Sequence, residues 1–340
     1  MSVRSGKFIG VHTVPSNGSS RDSAAERLWA ITSYFNPFGY KSRLANFRTF
    51  QSRLSVPLIA VELSYDNRFE LTAGDADVLV SLRSRDVIWQ KERLLNVALQ
   101  HVPDRCEAVA WLDCDIIFQN KDWARESLAA IEDHPMLQPF TELIDIPSGT
   151  PPPDGASPSP AKAAGHRVLT LSSKVVRGTW TPEDLVVEPR LSHTNAGALR
   201  GLAWVARKEV LLQHGIYDAS ILGSGDRLMA NAALGHPKLI LDFIDANERE
   251  VEHFLKWAGP FHDTVQGRLG CVDGTLLHLN HGDVDLRNYT AWHRGLRRYD
   301  FDPFQDITHD DNGCWRWNSD KKDLHGYIQE FLKSKREDDK

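Results

Sequence analysis

The stretch Glu107-Ala-Val-Ala-Trp-Leu-Asp-Cys-Asp-Ile-Ile-Phe118 is an apolar run interrupted by two carboxylates, Asp113 and Asp115. Short continuous apolar segments of this kind form buried strands in α/β sheets. Side chains two apart on an extended chain share a face, so both acids are expected to project from one strand end. Together they can hold a hard divalent cation and the ligand it carries. In a parallel α/β sheet that end is where ligands bind. Asp-x-Asp also occurs at Asp75/Asp77, Asp283/Asp285 and Asp300/Asp302. Only Asp113/Asp115 is embedded in apolar residues on both sides, a setting in which carboxylates are rare unless paired, hydrogen-bonded or metal-bound. A pair of capping or turn acids is the alternative reading.

Outward from this strand the chain alternates apolar runs with helical patterns, which predicts an α/β fold with one central, mostly parallel sheet flanked by helices. Leu28 to Ser33 reads as a first strand, and Asn36-Pro37-Phe38-Gly39 as a turn. Ser42 to Ser55 reads as a helix with Leu44, Phe47, Phe50 and Leu54 inward, and Val56 to Leu63 as a strand ending near Glu62. Ala76 to Leu82 is another strand, and Asp86 to Leu99 a helix leading into the acidic segment. Beyond it, Asn120 or Asp122 caps a helix to about Asp133, and Met136 to Phe140 is extended. The stretch 147–165, rich in Pro, Gly, Ser and Ala, reads as a mobile surface insert. Strands are predicted at Leu199 to Ala206, Lys238 to Phe243 and Val272 to Leu279. Helices are predicted at Lys208 to His214 and Asp226 to Leu234, stopped by Gly215 and Gly235, and at Lys321 to Lys335. Residues 1–27 read as a flexible N-terminal segment, 28–300 as one catalytic-type domain and 301–340 as a C-terminal helical extension.

A chain of 340 residues with 41% hydrophobic and 25% charged residues has enough apolar material for a substantial core. No run is long enough to span a bilayer, and the first 27 residues lack the apolar core of a secretory signal. The four cysteines form no C-x-x-C pair, so neither a disulfide framework nor a zinc knuckle is indicated, and a cytoplasmic setting is expected. A net charge of -6 gives no global basic bias toward nucleic acid.

Three further groups of residues carry candidate chemistry. His278 and His281 close the apolar strand Leu276-Leu-His-Leu-Asn-His-Gly282, where an imidazole could join a cation and shift the preference from Mg2+ toward Mn2+. A core histidine bonded to a backbone carbonyl is the alternative. Ile221-Leu-Gly-Ser-Gly-Asp226 sets an acid after a glycine-rich turn at a helix start, placed either to take a proton from a hydroxyl or to act as an N-cap. Trp89-Gln-Lys-Glu-Arg93 opens the helix before the acidic strand, so Lys91 or Arg93 could meet a phosphate, with a solvated basic face as the plainer explanation. Arg287 and Tyr289 are phosphate candidates of lower weight.

Taken together, these residues resemble the GT-A fold, metal-dependent, DxD-containing glycosyltransferases over roughly Leu28 to Tyr299. Trp89 to Ala98 with Trp111-Leu-Asp-Cys-Asp115 is similar to the helix and DxD strand of the β-1,4-galactosyltransferase and chondroitin-synthase-like group. Gly201-Leu-Ala-Trp-Val-Ala-Arg-Lys-Glu-Val210, Gly215-Ile-Tyr-Asp218 and Gly223-Ser-Gly-Asp226 resemble its acceptor-side segment, and His278-Leu-Asn-His281 its metal-histidine region. The resemblance implies a Rossmann-like single domain that binds a nucleoside-diphosphate sugar, most readily a UDP-sugar, with Mn2+ or Mg2+. It implies Asp115 with His281 or His278 as metal ligands, Asp113 on the ribose or the same cation, and Asn36, Glu62, Gln90, Lys91 and Arg287 around the nucleotide. It implies Asp226 as the general base of an inverting transfer to a glycan or lipid-linked saccharide, an acceptor compatible with peripheral contact at a membrane. The family's Trp-Gly-x-Gly-x-Glu-Asp is reduced here to Gly-Ser-Gly-Asp, so its sugar preference does not carry over. A sugar-phosphate nucleotidyltransferase is the competing enzyme, disfavoured because residues 28–40 offer only Gly39 where a glycine-rich phosphate loop is needed. A catalytically inactive glycan- or nucleotide-binding protein on the same fold is the non-enzymatic competitor. His262-Asp263 and His309-Asp310 read as surface polar pairs.

Overall fold

The computed structural model describes residues 10–13, 26–147, 150, 167–189, 197–282 and 289–338. Most of the 147–165 stretch therefore lies outside the described residues, as do Asp283, Asp285 and Arg287.

An eight-stranded mixed sheet forms the centre. Its N-terminal half contains β1 (Gly10–Thr13), β2 (Leu28–Phe35), helix α1 (Lys41–Arg53), β3 (Leu58–Ser64), β4 (Val78–Arg83), helix α2 (Lys91–Leu99) and β5 (Ala108–Leu112). The chain continues through β6 (Ile116–Phe118), α3 (Trp123–Ala130), β7 (Met136–Gln138), β8 (Glu142–Asp145), β9 (Arg167–Leu169), α4 (Leu171–Val176) and α5 (Glu183–Val186). The C-terminal half carries β10 (Ala203–Arg207), α6 (Lys208–His214), α7 (Gly225–Ala233), α8 (Pro237–Ile244), α9 (Glu248–Val265), β11 (Leu269–Cys271) and β12 (Thr275–His278). Helix α10 (Tyr289–Leu296), the hairpin β13 (Ile307–His309) and β14 (Trp315–Trp317), and α11 (Lys322–Lys333) complete it.

The main sheet runs β1-β4-β3-β2-β5-β10-β7-β11. Strands β4, β3, β2 and β5 are mutually parallel, whereas β10 runs antiparallel to both β5 and β7. The parallel strands are buried on both faces, as their predominantly apolar sequences require. Alternate residues separate into two cores. Ile31, Ile59, Val80 and Trp111 pack with Leu94, Leu228 and Phe254 on one face, while Ala30, Leu58, Leu79 and Ala110 pack with Phe47, Phe50 and Trp123 on the other. A second sheet, β6-β12-β8-β9, stands beside the carboxyl end of β5. Among the described residues no helix is long and apolar enough to cross a membrane.

Several elements depart from the sequence-based expectation. Lys238 to Phe243 is helical rather than extended: Pro237 opens α8, and Ile240, Leu241 and Ile244 are buried along one side. An apolar run this short does not reveal its period, so only the flanking Gly235-His236-Pro237 punctuation distinguishes the two. Helix α2 begins at Lys91 instead of Asp86, because Asp86 is engaged elsewhere, accepting a bond from Trp317 N–H. Within the N-terminal segment, Gly10–Thr13 adds an antiparallel edge strand along β4.

Candidate active site

The chain leaves β2 toward β3 and β4 on one side, and β5 faces β10 on the other, so the strand order reverses between β2 and β5. Such a reversal opens a crevice beyond the carboxyl ends of the strands. A cavity of about 260 Å³ lies there, reached by Tyr34 and Phe35 at the end of β2 and by Asp113, Cys114 and Asp115 after β5.

Residues 113–115 turn between β5 and β6, so the two acids are not presented side by side from one extended strand. Asp115 turns to the second sheet. Strand β12 pairs antiparallel with β6, placing His278 opposite Ile116, and Leu279 N–H donates to the Asp115 carbonyl at 2.8 Å. This register delivers both histidines to Asp115. His281 Nε2 is 2.9 Å and His278 Nε2 3.8 Å from Asp115 Oδ2. The two imidazole Nε2 atoms are 3.1 Å apart, and the three donor groups lie within 4.8 Å of one another. His278 Nδ1 is 2.7 Å from Asp145 Oδ1, its parallel partner across β8. A proton on Nδ1 shared with Asp145 leaves the Nε2 lone pair facing Asp115, the arrangement that orients metal-binding histidines. One carboxylate and two imidazoles suit a first-row divalent ion such as Mn2+ better than an all-oxygen site suits it.

Asp113 stands outside that donor group, contrary to the expectation that it would help bind the metal. Its Oδ1 is 2.6 Å from Lys91 Nζ, the first residue of α2, which is also 3.0 Å from Asp226 Oδ2. Burial, only partly countered by Lys91, raises Asp113 to about 6, and the charges of Asp226 and Asp115 add to the rise. Burial opposes the charge on Lys91 as well, but Asp113, Asp226 and Glu92 outweigh it and hold the ammonium well above its ordinary range.

Asp226 is set by the loop before α7. Gly223 and Ser224 both have positive φ, and Ser224, not Asp226, occupies the N-cap position. The capping alternative for Asp226 therefore gives way to an ion pair. Gly225 is required by crowding: a Cβ there would stand 2.2 Å from the Glu92 carboxylate. Glu92 accepts from Trp89 Nε1–H at 2.7 Å, and its burial raises it to about 7 despite Lys91.

Three expected nucleotide contacts are used as struts and do not line the cavity. Gln90 is wholly buried, donating to the Trp315 carbonyl at 2.7 Å and accepting from Trp315 N–H at 3.0 Å. The β13–β14 hairpin, absent from the sequence-based reading, thus takes both ends of its amide. Glu62 accepts from the N–H groups of Glu70 and Leu71 at 2.6 and 3.2 Å, fixing the chain after β3. Asn36 clamps its own turn, donating to the Tyr40 carbonyl and accepting from Tyr40 N–H.

Other residues reach the cavity without having been singled out in the sequence. Arg43 on α1 forms a two-pronged pair with Glu337, whose carboxyl it holds at about 2 despite burial. Lys335 places its ammonium 3.8 Å from the Trp89 ring centroid. Asp338 accepts from the N–H groups of Lys41 and Ser42 at 2.7 and 2.9 Å, where α1 begins. The C-terminal tail therefore forms one wall of the site. Its run of charged residues gives no periodic signal from which this could be read.

The sequence matches no family model and no curated protein. Among solved structures it is similar to Staphylococcus aureus TarS 1-349 in complex with UDP-GlcNAc, at 12% identity and TM-score 0.38, covering 91% of this chain and 72% of that one. It is similar to the mannosyltransferase PcManGT from Pyrobaculum calidifontis in complex with GDP-Man and Mn2+, at 12% identity and TM-score 0.38, over 91% and 74% of the two chains. It is also similar to the catalytic domain of Drosophila β1,4-galactosyltransferase 7 in complex with xylobiose, at 11% identity and TM-score 0.32, over 89% and 98%. Nucleotidyltransferases occur among the matches too. These likenesses are distant, and the functional reading rests on the chain's own residues.

Proposed function

We propose that the protein is a metal-dependent glycosyltransferase moving a sugar from a nucleoside-diphosphate sugar, with UDP-sugars the first donors to try, to a hydroxyl of a glycan or lipid-linked acceptor. The observation that carries this reading is the convergence of Asp115, His278 and His281 with Lys91, Asp113 and Asp226 in one cleft at the sheet's reversal point.

Asp115, His278 and His281 would hold Mn2+. A divalent ion bound there supplies neutralisation of the charge that develops on a departing diphosphate. Asp226 takes the proton of the acceptor hydroxyl, and the transfer inverts if the acceptor approaches the sugar from the side opposite the diphosphate. Lys91 serves as a positioning residue: its ammonium bridges Asp226 and Asp113 and offsets part of the burial that raises Asp113. Asp113 is left to the donor, as a hydrogen-bond acceptor for ribose hydroxyls.

Incubating purified protein with Mn2+ and a panel of UDP-sugars and GDP-mannose tests the reading, because a transferase slowly leaks sugar to water. Nucleoside diphosphate released in wild type and lost in Asp115→Asn supports it. Donor binding without release would favour an inactive binding protein, and pyrophosphate release from sugar phosphate plus nucleoside triphosphate would favour a nucleotidyltransferase.

A further inference from the structure

Two arginines enter the same cavity from the side of Asp226. Arg200 precedes Gly201 on the approach to β10, and Arg227 follows Asp226 in the first turn of α7. They are 3% and 9% exposed, so neither charge is solvated. Arg200 donates through Nη1 to the carbonyls of Asp184 and Ala198 at 2.5 and 2.8 Å, while its buried Nε has no partner among the described residues. Arg227 Nη1 is likewise buried without a partner. Glu188 Oε2 stands between them, 3.9 Å from Arg200 Nη2 and 3.6 Å from Arg227 Nη2, distances too long for good hydrogen bonds. Burial, and then the charge of Arg227, lowers Arg200 to about 9, which still leaves it protonated at neutral pH. Two buried cations thus face one carboxylate at long range, with the charge of Asp184 also acting on Arg200, and incomplete pairing of charge in a low-dielectric site is costly.

We propose that Arg200 and Arg227 form a binding site for an oxyanion, a carboxylate or phosphate carried by one of the sugar reactants. Guanidinium groups match such planar or tetrahedral anions with paired N–H bonds, and the Nη2 groups of both arginines face Glu188 at distances that leave them without a close anion from it. The position points to the reacting sugars rather than to the diphosphate. A Cβ on Gly201 would lie 3.1 Å from Asp226 Oδ2, so the pair flanks Asp226, whereas Asp115 and the histidines stand at the ends of the second-sheet strands β6 and β12. Near Arg227, His293 is held neutral, pushed down to about 3 by burial and by Arg227, so the positive charge here comes from the two arginines and not from this ring. The carrier of the anion rests on the transferase reading; the anion site itself does not.

The test is titration of the full chain with inorganic phosphate at constant ionic strength, without metal or nucleotide, followed by phosphorus NMR line broadening. Saturable binding is expected, weakened about tenfold or more in Arg227→Met by loss of charge-assisted bonds. Glu188→Gln keeps both arginines and removes the competing carboxylate, so it should bind phosphate several-fold more tightly. Thermal melts of each variant establish that it is folded. Absence of saturable binding, or affinities indifferent to both substitutions, would overturn the proposal. In a second arm with Mn2+, a preference for UDP-glucuronate over UDP-glucose that vanishes in Arg227→Met puts the anion on the donor. Equal donor affinities alongside intact phosphate binding put it on the acceptor. Failure to bind any UDP-sugar would sink the transferase reading while leaving the phosphate result standing.

Discussion

His281 Nε2 lies 2.9 Å from Asp115 Oδ2, a contact between the turn that precedes β6 and the segment that follows β12, two strands paired antiparallel in the second sheet. The acid after the buried strand is thereby separated from its neighbour two residues earlier. Asp115 goes to the imidazoles and Asp113 goes to Lys91. The two halves of the Asp-x-Asp sequence thus have different partners and should respond differently to substitution.

Asp145 orients His278 through Nδ1. Asp145→Asn should weaken Mn2+ binding by roughly 10- to 100-fold, the usual effect of losing a group that aims a metal-binding histidine. Free Mn2+ counted by electron paramagnetic resonance during titration measures it. An affinity equal to wild type would mean that the ring is held in place by packing alone.

Asp226→Asn should lower turnover by about 100- to 10,000-fold, the range for loss of a general base, with metal affinity nearly unchanged. Comparing initial rates with Mn2+ titrations separates the two effects. Retained turnover would remove Asp226 from the reaction and with it the inverting assignment.

Lys91 neutralises two half-buried carboxylates at once. Lys91→Met should cost about 3–5 kcal/mol, as expected for breaking a buried ion pair. Adding Asp226→Asn should return part of that loss, since one stranded charge is removed. Urea denaturation of the two single variants and the double variant checks this; simple additivity would show that the pairs are not coupled.

Glu92 is raised from 4.5 to about 7, chiefly by burial. A carboxyl whose folded value is raised favours the folded state fully below its unfolded value, and that contribution is lost as pH rises through the folded one. Gln mimics the protonated form. Glu92→Gln should therefore gain on wild type by on the order of 2–3 kcal/mol between pH 5 and pH 8. Stability curves for both proteins across that interval measure the difference, and a constant gap would contradict it.

Glu337 behaves in the opposite sense, held at about 2 by Arg43 although burial alone would raise it. Its contribution is present above its unfolded value of 4.5 and is lost as pH falls toward 2. Glu337→Gln should destabilise the protein by about 3 kcal/mol at pH 7, because it strands the buried Arg43 charge. The penalty should shrink on acidification, which thermal melts at pH 7 and pH 4 would reveal.

Much of the sheet was legible because parallel strands buried on both faces must be largely apolar, as Leu28–Phe35, Leu58–Ser64 and Ala108–Leu112 are. Helices α6 and α7 were legible from the glycines that follow them, Gly215 and Gly235. In the site, the sequence pointed to Asp115, His278, His281, Lys91 and Asp226, all of which line the cavity. It did not reveal that residues 113–115 leave extended geometry, which sets Asp113 against Lys91 while Asp115 meets the histidines. Nor could it show that Gln90 is claimed by a hairpin more than two hundred residues away in the chain, or that Glu62 secures a loop. Arg200, Arg227 and Glu188 carry no motif: their meaning comes from burial, which composition and spacing do not report.

The most direct test is a Mn2+ titration of wild type, Asp115→Asn and His281→Ala, each with and without UDP. Wild type should bind one ion, more tightly when UDP is present, and both variants should lose that binding while remaining folded. Equal Mn2+ binding by all three proteins, or an affinity indifferent to UDP, would contradict a metal site built from Asp115, His278 and His281 to receive a nucleotide diphosphate.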